Sequence, residues 1–173
     1  LTVARMVLHG RFPYITYPRH YRREDEDRVE QVLERMGILR LKDRFLSELS
    51  GGEKQKAYLA MALVQDAPVL VLDEPATYLD VSWQLELMDL LKDLTLEGKT
   101  VAVILHDLNH CLMYADRLTV MDRGTIKAAG TPDEILGLGV LEQVFRLNVS
   151  SLTDGDGKKH YWFERQNPLY QSP

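Results

Sequence analysis

The residues able to do chemistry in this 173-residue chain fall in short stretches well apart in sequence. Leu49-Ser50-Gly51-Gly52-Glu53 stands directly before a helix-like stretch. Ser50, with Glu53 three residues on, reads as a capping box. A cap does not explain the two glycines, because Gly weakens the first turn of a helix. Exposed backbone N–H groups beside a serine hydroxyl at a helix N-terminus also make an anion site, which a phosphate can approach closely where no Cβ intervenes. Further along, Val69-Leu70-Val71-Leu72 ends in Asp73-Glu74-Pro75. Carboxylates at the carboxyl end of a buried strand lie where open α/β sheets bind ligands. The plainer reading is that two acids begin a loop. His106-Asp107 follows the next strand-like run, where a histidine is ordinarily a surface turn residue and Asp107 suits the N-cap of the following helix.

These residues need elements to position them. Residues 1–23, with Gly10, Pro13 and Pro18, read as a short helix and an irregular loop. Val29, Val32, Leu33 and Met36 fall at i, i+3, i+4 and i+7, which predicts an amphipathic helix over 24–36, opened by the acids 24–27. A second helix is predicted over 52–65. The wholly apolar run from Val69 predicts a strand buried on both faces. A helix over 81–96, a strand over 101–105 and a helix over 108–114 follow, then strands at 118–121 and 125–128 joined by a tight turn at Asp122-Arg123-Gly124. Thr131-Pro132-Asp133-Glu134 opens a last helix, with Thr as N-cap and Pro in the first position. Alternating buried strands and helices predict an α/β fold with a mainly parallel sheet and flanking helices. Residues 1–65 read as a helical subdomain before it, 66–149 as the sheet-bearing core, and 150–173 as a polar tail whose residues 154–157 turn between two short strands.

The chain is 45% apolar and 27% charged, an ordinary globular profile. Its net charge of −5 argues against general nucleic-acid binding, which shows as a basic excess. Cys111 is the single cysteine, so neither an intrachain disulfide nor a thiolate zinc cluster can form. No apolar run approaches the roughly 18–20 residues of a membrane span. A phosphate-binding loop requires G-x-x-x-x-G-K-[ST] between a strand and a helix. Gly98-Lys99-Thr100 fails that pattern, because position 93 is Asp and the segment runs from helix to strand.

Taken in order, these residues resemble the ATP-binding-cassette family. Leu49–Glu53 is similar to its signature motif, Asp73-Glu74-Pro75 to its Walker B motif with the catalytic glutamate, 76–80 to its D-loop, and His106 to its switch histidine. Glu53 stands where most members have Gln, and Lys56 where Arg is commoner. Leu1-Thr2-Val3 and Gly10-Arg11-Phe12-Pro13-Tyr14 resemble the importers serving iron-siderophore, haem and cobalamin uptake. The resemblance implies a P-loop NTPase-like fold and an ATP- and Mg²⁺-dependent ATPase that dimerises head to tail around two ATPs. Ser50, Gly51, Gly52 and Glu53 would meet the γ-phosphate across the dimer, and Asp73 would hold Mg²⁺. Glu74 would act as base or water-orienting group, His106 would contact the γ-phosphate, and Asp80 would link the two sites. It further implies a membrane permease as partner, a substrate-binding protein reached indirectly, no nucleic acid, and a place at the cytoplasmic face of the membrane. Residues 1–23, with Arg11, Arg19, Arg22, Arg23, Tyr14, Tyr17 and Tyr21, read either as permease-docking surface or as a solvated basic loop. In the family the P-loop and Q-loop precede the segment that begins here, so the chain by itself is expected to bind ATP poorly and not to turn it over. Two other readings remain: a soluble ABC ATPase acting on DNA or ribosomes, for which neither heptads nor a second signature is present, and a non-catalytic docking product. The transported substrate and the homo- or heteromeric state of the dimer are not written in these residues.

Overall fold

Apolar spacing sets the first helices. The structure, a computed structural model, describes residues 1–15, 17, 20–77, 79–155, 157 and 159–166. It comprises two compact units, Leu1–Ile104 and Leu105–Pro173. In the first, Thr2 caps α1 (Val3–Leu8), and a 3₁₀ helix (His9–Tyr14) continues from it. Helix α2 (Arg23–Arg35) buries Val29, Val32 and Leu33, as its periodicity predicts. Helix α3 (Gly51–Leu63) packs against both α1 and α2. Val3, Val7, Leu33, Met36 and Ile38 are almost completely buried, and side chains of this kind each contribute about 1.5–3 kcal/mol on burial. Gly10 permits the closest approach, because a Cβ there would lie 2.3 Å from the Met61 carbonyl oxygen of α3.

Strand β1 (Val69–Asp73) leads to α4 (Val81–Leu96), which packs on β2 (Thr100–Ile104). β1 and β2 are parallel, with Val69 opposite Thr100 and Asp73 opposite Ile104. A parallel pair needs a crossover between its strands, and α4 supplies it. Asp66 takes both Lys99 (2.6 Å) and Arg28 (3.3 Å), and Arg35 grips Glu97 with two bonds of 2.7 and 3.1 Å. These ties join α2 to the turns that enter β1 and β2. Being exposed, each is worth about 0–1 kcal/mol.

The second unit begins with α5 (Leu108–Tyr114), then the hairpin β3 (Leu118–Asp122) and β4 (Thr125–Gly130). Helices α6 (Pro132–Gly137) and α7 (Val140–Phe145) and a second hairpin, β5 (Leu147–Thr153) and β6 (Lys159–Arg165), complete it. Leu112, Val120, Ile135, Val140, Leu141 and Tyr161 form its core.

The α/β class stands, with three corrections of detail. The parallel ladder is confined to β1–β2 among the described residues; β3–β4 and β5–β6 are antiparallel because short turns join them. β1 is not buried on both faces: Leu70 is buried, whereas Val69 and Val71 are 54% and 71% exposed, so the unit covers one face of the strand. Helix α7 and the 3₁₀ turns Leu39–Leu41 and Leu46–Glu48 were not predicted, being too short to show a period.

Candidate functional site

At the head of α3, Ser50 has extended backbone and its Oγ accepts from the Glu53 N–H at 3.3 Å. The Glu53 carboxylate turns back in return, accepting from the Ser50 N–H at 3.0 Å and from the Ser50 hydroxyl at 2.9 Å. The predicted capping box is therefore present. The backbone N–H of Ser50 and then its hydroxyl hold the Glu53 carboxyl below the usual carboxylate range, helped by the charges of Arg44 and Arg40. Arg40, Leu41, Arg44 and Glu53 line a cavity of about 250 Å³ beside this turn.

The glycines have no internal reason. A Cβ on Gly51 would meet nothing within 4 Å, and one on Gly52 would only touch Leu79 Cδ2 at 3.8 Å. Neither has a positive φ, so neither turn geometry nor packing calls for glycine. What the glycines do provide is bare backbone. The first N–H groups of a helix lack intrahelical acceptors, and without side chains those of Gly51 and Gly52 are open to an anion.

Asp73 ends β1 with its side chain exposed, and Glu74 follows with the φ of +47° rare for a residue with a side chain. The other described non-glycine residues with positive φ are Asp66, Arg123 and Arg146, found in turns or at a helix end. Such a conformation costs about 1–3 kcal/mol and persists where surrounding bonds enforce it. Here the Glu74 N–H donates to the Ile104 carbonyl at 3.1 Å, extending the ladder one step past Asp73. The Glu74 carbonyl accepts from the Thr77 N–H at 3.2 Å, and its Oε2 accepts from the Thr77 hydroxyl, also at 3.2 Å. Thr77 thus aims the Glu74 carboxylate. The sequence reading missed it, although a Thr three residues after an acid in a turn is a recognisable signal.

Asp80, predicted as a D-loop residue, is the N-cap of α4, its Oδ1 accepting from the Trp83 N–H at 2.9 Å. Gln55 of α3 donates its side-chain amide to the Pro75 carbonyl at 3.3 Å, so α3 and the loop after β1 are bonded to each other. Ser50–Glu53, Asp73, Glu74 and Asp80 therefore all belong to the first unit. His106 belongs to the second, exposed and two residues past the end of β2. Asp107 caps α5, accepting from the N–H groups of Asn109 and His110 at 2.7 and 3.2 Å, which is the plainer role read for it.

The basic stretch in 1–23 is less free than its composition suggests. Arg11 pairs with Asp25 at 2.9 Å, donates to the Val64 carbonyl at 3.1 Å and lies 3.9 Å over the Tyr14 ring. Its guanidinium is thereby taken up inside the unit. Phe12 and Tyr17 are exposed, at 58% and 95%. Arg19 lies outside the described residues.

Comparison with known proteins places relatives along most of this chain. A family model described as ABC transporter matches residues 2–77. The ferric enterobactin transport ATP-binding protein FepC of Escherichia coli (strain K12) is 39% identical over 155 residues, covering 89% of this chain and 57% of the relative. The iron(3+)-hydroxamate import ATP-binding protein FhuC of Bacillus subtilis (strain 168) is 37% identical over 155 residues, covering 89% and 58%. This chain thus spans somewhat more than half the length of these relatives. Among solved structures, a metal-chelate type ABC transporter in an inward-facing conformation shares the fold, with a TM-score of 0.81 at 24% identity over 94% of this chain and 67% of that one. CbiO1 from Clostridium perfringens, part of the ABC transporter complex cbiONQ, is 31% identical with a TM-score of 0.66, covering 83% and 56%.

Proposed function

We propose that the chain belongs to the ABC transporter ATPases and that the whole protein is the ATP-hydrolysing, nucleotide-binding subunit of an importer that moves an iron chelate, haem or cobalamin through a membrane permease. The observation that carries the ATPase reading is Glu74. It stands at the carboxyl end of β1 in a strained backbone, with its carboxylate aimed by Thr77. The importer reading is supported by relatives that serve ferric enterobactin and ferric hydroxamates.

In this mechanism residues 1–65 form the helical signature subdomain, 66–149 the carboxyl half of the ATPase core, and 150–173 a tail without chemistry. Glu74 orients and deprotonates the attacking water. Asp73 would be the residue for Mg²⁺: its carboxylate is exposed at the carboxyl end of β1, and Mg²⁺ is commonly held by one or two carboxylates together with substrate phosphates. Bound there, the ion would neutralise charge on the phosphates. Ser50, Gly51 and Gly52 donate to the γ-phosphate of the ATP held by a second subunit packed head to tail. His106 stabilises charge developing on the γ-phosphate of its own subunit's ATP. The Ser50 hydroxyl must first release Glu53, whose carboxylate it now engages. Asp80 lies at the dimer contact. The helical subdomain grips the permease, with the exposed Phe12 and Tyr17 as contact residues. Gripping the permease, the whole protein lies at the cytoplasmic face of the membrane; no helix among the described residues is long and apolar enough to cross a membrane.

Uptake measurements test the reading. A host strain lacking the gene is offered ferric hydroxamate, ferric catecholate, haem and cobalamin singly, each radiolabelled. Loss of uptake of one class is expected, restored by the whole wild-type protein and not by its Glu74→Gln variant. Undiminished uptake of all four would contradict the importer assignment. For Thr77, replacement by Val is expected to lower kcat for ATP by about threefold to tenfold, the scale of one net hydrogen bond, while Ser at that position retains it. A Thr77→Val enzyme with unchanged kcat would show that the hydroxyl does not aim Glu74.

A further inference from the structure

The loop that carries the Glu74 chemistry is held by side chains from two helices. From α3, Gln55 donates to the Pro75 carbonyl at 3.3 Å. From α4, Gln84 donates to the carbonyls of Leu79 at 3.1 Å and Ala76 at 3.4 Å. The helices are themselves joined, because the Lys56 ammonium of α3 lies 3.8 Å from the centroid of the Trp83 ring of α4. Trp83 is 6% exposed, yet its indole N–H is buried without an acceptor among the described residues. A buried tryptophan ordinarily satisfies that group. Here the ring is located by packing and by the cation on its face, an attraction that strengthens as the pair is desolvated. Leu79, near the end of the bracketed loop, is also the nearest contact of a Cβ placed on Gly52.

We propose that Gln55, Lys56, Trp83 and Gln84 form a bracket that fixes the backbone of Pro75, Ala76 and Leu79 to the signature helix, making them positioning residues for Glu74. The inference rests on the ATPase reading above. Within one chain the head of α3 meets the partner's ATP while Glu74 serves the chain's own. A shift of α3 on contacting phosphate is therefore passed through Gln55 and the Lys56–Trp83 pair to the loop that aims Glu74. The bracket reaches neither nucleotide, so its loss acts on the chemical step rather than on ATP affinity.

The test is steady-state ATP hydrolysis by the whole protein with its permease. Lys56→Met keeps the stem and removes the charge; it is expected to lower kcat by about fivefold with KM for ATP within about twofold, the size of one cation–π contact. Lys56→Arg, which also stacks on the indole, is expected to restore kcat. Trp83→Phe is expected to give a smaller loss, and the Lys56→Met/Trp83→Phe double variant to be no slower than Lys56→Met alone, as coupling through one contact requires. Gln55→Leu provides an independent route to the same kcat loss. Wild-type kcat in both Lys56→Met and Gln55→Leu, an equal loss in Lys56→Arg, or strictly additive losses in the double variant would each overturn the bracket while leaving the ATPase reading intact. A wild-type protein with no ATP hydrolysis would overturn both.

Discussion

Replacing Glu74 by Gln is expected to lower ATP turnover of the whole protein by about 10² to 10⁴, the scale of a general base, with little change in KM. The amide keeps the volume and can still accept from the Thr77 hydroxyl, so the +47° backbone and the bond to Ile104 are preserved. What is lost is the negative oxygen that draws the proton from water. Steady-state hydrolysis over a range of ATP concentrations checks this. A loss below about threefold is too small for a base and would remove Glu74 from the role.

The second large effect concerns Gly51. In Gly51→Asp the new Cβ enters open space, and an acid in the first turn of α3 suits the positive end of the helix, so thermal stability is expected to hold or rise slightly. Turnover is expected to fall by about 10² to 10³, because a carboxylate then stands where the γ-phosphate must meet backbone donors. A folded protein with its activity removed is the signature of a glycine kept for a ligand. If melting temperature and turnover fell together, Gly51 would be a packing residue. If neither changed, the head of α3 would not be a phosphate site.

Much of the site was legible because it is local in sequence. Ser50 and Glu53 lie three residues apart and need only a helix between them to bond, and the capping box formed as read. Asp73 and Glu74 follow an apolar run whose end marks the end of a strand. Helices α4 and α5 have the predicted bounds, and at α5 the cap Asp107 announces the start, whereas the capping role of Asp80 at α4 was not read. Long-range contacts were not legible. Gln55 reaches Pro75 across twenty residues, and the Lys56–Trp83 pair depends on how α3 lies against α4, which no periodicity encodes. The left-handed backbone of Glu74 was also hidden, since a glycine would have signalled it and a glutamate does not. At Arg11 composition left a docking surface and a solvated loop both open, and it did not foretell that the charge is taken up by Asp25 and Tyr14. It misled at β1, where four apolar residues in a row were read as buried on both faces and only one face is covered.

The central claim is that Ser50–Gly52 of one subunit and Glu74 of another make one ATP site. The most direct test is the solution mass of the whole Glu74→Gln protein with and without ATP, measured by light scattering. Slow turnover should trap the closed pair, so a monomer without nucleotide is expected to become a dimer with ATP. Adding Gly51→Asp to the same protein is expected to return it to monomer. A mass indifferent to ATP, or an ATP-induced dimer unaffected by Gly51→Asp, would contradict the account.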